Sequence, residues 1–223
     1  MAGTRTTTRQ SGRAERTREA LIRAGRRPFA EQPLDAVAID DIVRAADVAK
    51  GSFYNHFADK EALVRAVTVE IRSGVERAVG RANAGIDDPA RRVARAICVY
   101  IRYAIDEPER AGVLVRVHSG HTSTSAPLNQ GLVEDVASGL AAGRFSIATL
   151  ESGVLYILGI SQISLIRIAQ EPSLALAVTL SQQMCALLLR GLGLPMAEAD
   201  AIAAQASDEV VRQGLYSDLA ASA

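Results

Sequence analysis

Lys50, Gly51, Ser52, Tyr54, Asn55 and His56 crowd one short stretch, interleaved with the apolar Phe53 and Phe57. Their shared chemistry is hydrogen bonding to phosphates and base edges. A lysine reaches guanine O6/N7 or a phosphate, and an asparagine on the groove floor pairs with adenine. Ser52 can donate to a base or a phosphate, and Tyr54 can also touch a thymine methyl. Gly51 lets the backbone approach closely. Lys60 follows where a new helix opens, so N–H groups and a positive side chain converge on an anion. Arg44, just upstream, adds a further cation within reach of a phosphate or base.

These residues need helices to hold them. Ile39, Ile42, Val43 and Ala46 recur at helical spacing and give a short helix with one apolar stripe. Asp47-Val48 breaks that pattern. A second short helix is expected from Ala49 to about Phe57, burying Phe53 and Phe57 and turning the polar set outward. This is a helix-turn-helix, whose second helix can enter a DNA major groove. A first helix from about Arg13 to Ala30, with Leu21, Ala24 and Phe29 inward, completes the small core. Asp59 is a good N-cap for the next helix, with Glu61 in its first turn. Leu63, Val67, Ile71 and Val75 recur every fourth residue and carry that helix to about Ala84.

The run Lys50-Gly-Ser-Phe-Tyr-Asn-His-Phe57, then Ala-Asp-Lys-Glu61, resembles the DNA-binding signature of TetR-family transcriptional regulators. Those proteins carry a near-identical Lys-Gly-Thr-aromatic-Tyr-x-His-Phe run and a Lys-Glu pair opening the next helix. The resemblance runs from about Arg16 to Leu63 and is one of layout beyond Val64. It implies an all-α fold with an N-terminal three-helix helix-turn-helix domain and a C-terminal helical ligand-binding and dimerisation domain. The corresponding spans are a disordered basic arm over 1–12, the DNA-binding domain over 13–62 and a linking helix over 63–84. The ligand-binding and dimerisation domain takes 85–215 and a tail takes 216–223. The resemblance implies DNA contacts from Arg44, Lys50, Gly51, Ser52, Tyr54, Asn55, His56 and Lys60, with Tyr54 and His56 as a phosphate-contacting pair. Arg5 and Arg9 in the arm are further candidates for the minor groove.

The chain departs from the family pattern at four places. Ala38 and Ala49 stand where the family has hydroxyl N-caps, each worth about 1 kcal/mol. Asp47 replaces the turn glycine, and Asp tolerates the left-handed conformation better than most residues. Pro28 falls inside the first helix, where it removes a hydrogen bond and should kink or end it.

In the C-terminal part, starts are expected at Asp88-Pro89, Glu107-Pro108, Pro127, Ser146, Glu171-Pro172 and Pro195. The helices over about 146–192 are apolar on more than one side, which demands burial on several sides. By the resemblance, this pair forms a four-helix homodimer interface. Family members bind a small molecule among their middle helices. Here the available polar-tipped groups are Tyr100, Tyr103, His118, His121, Tyr156 and Arg167, with Phe145, Arg102 and Arg116 nearby in sequence. Mostly apolar lining suggests a largely hydrophobic effector.

Bulk properties bound the rest. The 223 residues are 48% hydrophobic, with no tryptophan and 4% aromatics, so the core is aliphatic. Formal net charge is zero, yet residues 1–30 hold eight arginines against two glutamates, a net of +6. A basic end on a neutral chain suits a partner that presents phosphate at that end alone. The apolar run Gly153 to Ile168 is interrupted by Ser161, Gln162 and Ser164 and falls short of the roughly 20 residues of a membrane span. The N-terminus has no apolar stretch of the kind a signal peptide needs. Cys98 and Cys185 are far apart in sequence and read as buried reduced thiols of a protein of the bacterial cytosol and nucleoid. No nucleophile–base pair, phosphate loop or metal cluster is visible, and the glycines at 139 and 143 follow no strand. His118 and His121 lack a third ligand, so neither metal, cofactor nor enzyme is expected. The reading is a repressor released from a palindromic operator by a small molecule. The alternative is a ligand-independent regulator or an activator.

Overall fold

The computed structural model describes residues 4–117 and 123–216. Among these it contains ten α-helices and no strand. They are α1 (Thr4–Glu31), α2 (Ile39–Ala45), α3 (Lys50–Tyr54), α4 (Lys60–Ala82), α5 (Pro89–Asp106), α6 (Pro108–Arg116), α7 (Gln130–Ala141), α8 (Leu150–Gln170), α9 (Leu174–Gly191) and α10 (Met196–Ala206). Single 3₁₀ turns precede α2 (Leu34–Ala36) and α7 (Pro127–Asn129), and a π turn over Ser207–Arg212 continues α10.

The helix-turn-helix core is small and well sealed. Leu21, Ile42, Phe53 and Leu63 are fully buried, with Phe29 and Phe57 nearly so. The two phenylalanines of the signature pack at 5.8 Å between ring centroids, and the Arg18 guanidinium lies 5.4 Å over the Phe57 ring. The turn between α2 and α3 is made as the sequence requires: Asp47 takes φ +54°. Neither Ala38 nor Ala49 offers a side-chain cap to the helix it precedes.

The C-terminal helices wrap α5, which touches α4 and every helix from α6 to α10. That position explains why Val93, Ile97 and Ile101 are fully buried. Asp88 caps α5 through Ala90 N and takes a two-pronged ion pair from Arg144 at 2.9 and 3.1 Å, fixing the end of α7 beside it. This pairing holds the Asp88 carboxyl below the ordinary aspartate range. Cys98 on α5 and Cys185 on α9, distant in sequence, meet in the core with their Sγ atoms 3.8 Å apart. The proximity of Cys185 and burial push the Cys98 thiol well above its usual value.

Several element ends differ from the sequence expectation. Residues from Thr4 onward are helical and continuous with α1 rather than a separate arm. Nothing between Thr4 and Gly12 breaks a helix, and extending an existing helix adds one hydrogen bond per residue fixed. Pro28 does not stop α1, which ends only at Glu31. Its ring removes one N–H, but its own carbonyl still accepts from Gln32 N at 2.9 Å. The second helix of the motif is a residue later at its start and three shorter at its end than expected. At Asn55 the helical bonds change: both His56 N and Phe57 N turn to Phe53 O. Thr149, not Ser146, caps α8, through a reciprocal capping box with Ser152. Ser173 caps α9, past Glu171-Pro172.

By length and composition α8 and α9 do reach what a membrane span needs, with mean hydropathy 1.5 and 1.3. The polar residues that interrupt the apolar run do not break the helix, and Ser161 Oγ donates to Ile157 O one turn back at 2.8 Å. Each helix buries one side inside the fold. On α8, Val154, Leu165 and Ile168 are fully enclosed. The outer sides leave Leu155, Ile163 and Leu187 about half exposed.

Candidate nucleic-acid interface and ligand cavity

The outward face of α3 carries the polar set that the sequence singles out. Tyr54 is 54% exposed, its ring standing edge-on to Phe53 at 5.2 Å, so it covers no core. Gly51 and Asn55 are exposed, while Ser52 and His56 are half-buried. A Cβ at Gly51 would meet nothing within 4 Å, so its role is to leave room outside the protein.

The cations of this face are held by acids of α2. Lys50 Nζ lies 2.7 Å from Asp40 and Arg44 lies 2.9 Å from Asp41. The hydrogen bond and charge of Asp40 raise the Lys50 pKa, so the ammonium stays charged. Both pairs are exposed, and pairs of that kind are weak enough to exchange for a phosphate. Lys60 is a different case. Its ammonium is turned to the backbone before α2, donating to Val37 O at 2.7 Å and Asp35 O at 3.5 Å. Sequence reasoning gave it an anion, whereas the fold gives it two carbonyls left free by the turn of Leu34–Ala36.

A cavity of about 420 Å³ lies among α4, α5, α6, α7 and α8. Its walls are mainly aliphatic: Val79, Val93, Leu114, Leu128, Leu132, Ile157 and Leu158. Polar groups gather in two places. On one side Arg72 donates to Asn129 Oδ1 at 2.8 Å, and Tyr100 donates to Glu76 Oε1 at 2.8 Å. Burial, then the Glu76 charge, keep the Tyr100 phenol protonated far above its usual range. Burial raises the Glu76 pKa, against the opposing pull of the Tyr100 hydrogen bond and the Arg72 charge. On the other side Arg92 pairs with Asp135 at 2.5 Å and donates to Ile86 O at 3.2 Å. Burial raises Asp135, and Arg92 opposes it. Two buried polar atoms of the lining residues have no partner, Arg72 Nη1 and Asn83 Oδ1.

Of the four candidate ligand residues among the described residues, Tyr100 alone lines the cavity. Tyr103 is 1% exposed on a side of α5 influenced by Arg110, Glu107 and Glu70, and burial pushes its pKa to about 12. Tyr156 lies against α9, its ring over Gly191, where any side chain would collide with it. Its hydroxyl donates to Leu187 O at 3.4 Å. Arg167 is exposed and paired with Glu171 at 2.5 Å. Of the neighbouring candidates, Arg102 bonds Asp106 and Val211 O, Arg116 bonds Ala30 O, and Phe145 packs on Gly139. His118 and His121 lie outside the described residues, and the side chains of Arg5 and Arg9 likewise. Among the described residues no group of three or more His, Cys, Asp or Glu is placed to hold a metal ion. Arg72 and Glu76 were legible in principle, as charges at i and i+4 beside the buried Ile71 and Val75. Arg92 and Asp135, 43 residues apart, give no local signal.

Residues 21–67 match the family described as "Bacterial regulatory proteins, tetR family", and residues 88–205 match "Tetracyclin repressor-like, C-terminal domain". The chain belongs to the TetR family. The family is one of bacterial regulatory proteins, and the chain has its two parts, a helix-turn-helix head and a helical C-terminal domain. TetR-family regulators bind operator DNA and small molecules, are typically homodimers, and are soluble cytoplasmic proteins. Among relatives, the HTH-type transcriptional repressor DhaR of Mycobacterium sp. (strain GP1) is 33% identical over 98 residues, which is 44% of this chain. That match spans about half, 48%, of DhaR's length. The solved structure of RolR in complex with resorcinol is 27% identical with a TM-score of 0.66, over 87% of this TetR-family chain and 96% of RolR. A gamma-butyrolactone receptor (ArpA-like protein) shares the fold at 21% identity and a TM-score of 0.60, over 88% and 98% of the two chains.

Proposed function

We propose that this TetR-family chain is a homodimeric repressor of the cytosol and nucleoid that binds a palindromic operator and is released from it by a small, largely hydrophobic molecule. The observation that carries the reading is the double use of α4. It opens directly behind the helix-turn-helix at Lys60, and its far half supplies Arg72, Glu76 and Val79 to the cavity. A ligand that changes the packing of that half moves the reading head through one rigid rod. A second link runs from α6, which meets α1 through Arg116 and Ala30. Ligand and operator are then coupled if the ligand prefers the arrangement that does not fit DNA.

On the DNA side, Lys50, Ser52, Tyr54, Asn55 and His56 meet bases and phosphates, with Arg44 on the flank and Gly51 permitting close approach. Lys60 acts first as a strut for the head. A single helix presents too few side chains to specify a genomic site, and two copies on a two-fold axis read two half-sites. The half-exposed Leu155, Ile163 and Leu187 on α8 and α9 support dimerisation through that face. RolR's resorcinol supports a small organic effector. The proposed domain limits are the reading head up to about residue 62, α4 as the connection, and the effector and dimer domain from about 85 to 215. The reading is tested by following a fluorescent operator complex during addition of molecules shown to bind the cavity. Release by at least one of them supports it, and a complex indifferent to all of them contradicts the regulatory part.

A further inference from the structure

The cavity wall constrains the chemistry of its occupant, a deepening that rests on the effector-site reading above. Among the described residues its four ionic side chains sum to zero, Arg72 and Arg92 against Glu76 and Asp135. Arg92 and Asp135 are already paired with each other. Arg72 and Glu76 sit one turn apart on α4, and the Arg72 charge acts on the Glu76 carboxyl. A carboxylate brought to Arg72 therefore meets the like charge of Glu76 one turn away, and an ammonium brought to Glu76 meets that of Arg72. Like charges close together in a buried site disfavour the charged form of the newcomer.

Hydrogen-bonding capacity is what the wall does have spare. Arg72 is 94% buried, at 6% exposure, and its Nη2 is spent on Asn129 while Nη1 donates to nothing. Glu76 receives the Tyr100 hydroxyl on Oε1, which leaves Oε2 to accept. A buried donor without a partner is costly, and a ligand that supplies one recovers that cost. A donor and an acceptor one helical turn apart match a group that both accepts and donates. The rest of the wall is aliphatic and matches a hydrocarbon body.

We infer that the cavity takes an uncharged hydroxylated organic molecule, a phenol or alcohol, whose oxygen accepts from Arg72 Nη1 and whose proton is donated to Glu76. Carboxylates, phosphates and amines of the same skeleton are disfavoured, because each meets a like charge one helical turn from its counter-charge. Methyl ethers lose the donor half of the contact.

The test is calorimetric titration of the full chain with matched sets of alcohol, methyl ether and carboxylate on phenyl, naphthyl, cyclohexyl and n-hexyl frames. At least one alcohol should bind, its ether about tenfold or more weaker, in line with one lost hydrogen bond to a charged group. Its carboxylate should bind at least about tenfold weaker, the order expected for a like charge held nearby in a partly buried site. Glu76→Gln, which removes the negative charge, should narrow the gap between alcohol and carboxylate. A carboxylate or ether that equals its alcohol on any frame, or a panel in which no alcohol binds, overturns the inference. Operator release is scored separately in the same samples. An alcohol that binds and leaves the operator complex intact upholds the ligand class and counts against the repressor reading. Release by a carboxylate alone does the reverse.

Discussion

At the scale of single residues, the reading head separates side chains that face outward from those that hold it together. Tyr54 is exposed and makes only an edge contact with Phe53. Tyr54→Ala should weaken operator binding by about five- to 150-fold, since a lost phosphate or base contact is worth roughly 1–3 kcal/mol. The melting temperature of the head should scarcely move, and circular dichroism on the same sample checks this. Lys60 separates the two roles the other way. Its ammonium ties α4 to the turn before α2, so Lys60→Ala should cost about 1–2 kcal/mol of stability in urea unfolding. Unchanged stability with weaker, less salt-dependent DNA binding would return Lys60 to the phosphate-contacting set. The residue types of the head were legible because a local motif fixes them. The partner of Lys60 was not, because it depends on a carbonyl 23 residues away.

At the scale of elements, the sequence signals were strongest where an apolar stripe is long. Leu63, Val67, Ile71 and Val75 placed α4, and all four are buried. Ends were harder to read, because several candidate caps compete within a few residues. Ser146 and Thr149 are both plausible starts for α8, and only Thr149 has Ser152 three residues on to complete a reciprocal cap. Asp47 was readable from its place in the motif, and its positive φ follows from the turn. The missing caps at Ala38 and Ala49 make a direct prediction. Ala49→Ser should add about 1 kcal/mol to the stability of the head, read from the urea midpoint. No gain would mean that a hydroxyl introduced at this position cannot reach the α3 amides in this turn. The cavity was the least legible part. Tyr100 was found by its type, whereas Arg92 and Asp135 meet only through the packing of α5 on α7.

At the scale of the whole molecule, two features support the proposed second copy. The head presents one short helix to DNA, and α8 with α9 presents an apolar face with nothing from the described residues upon it. Leu187→Glu, on the exposed side of α9, should convert the dimer to monomer in sedimentation velocity while leaving helicity unchanged. A dimer that survives Leu187→Glu and Ile163→Glu together would place the interface elsewhere. The zero net charge of the chain and the +6 of its first 30 residues fit a molecule whose N-terminal end alone approaches phosphate. Regulation then depends on α4, which belongs to both ends.

The most direct measurement is footprinting of the DNA flanking this protein's own gene at one fixed salt concentration, with and without an alcohol that binds the cavity. A palindromic site protected by the protein alone and exposed again on adding the alcohol is the expected result. Protection that is diffuse and vanishes with modest salt, or a palindromic footprint that no cavity ligand disturbs, would contradict an effector-released dimeric repressor.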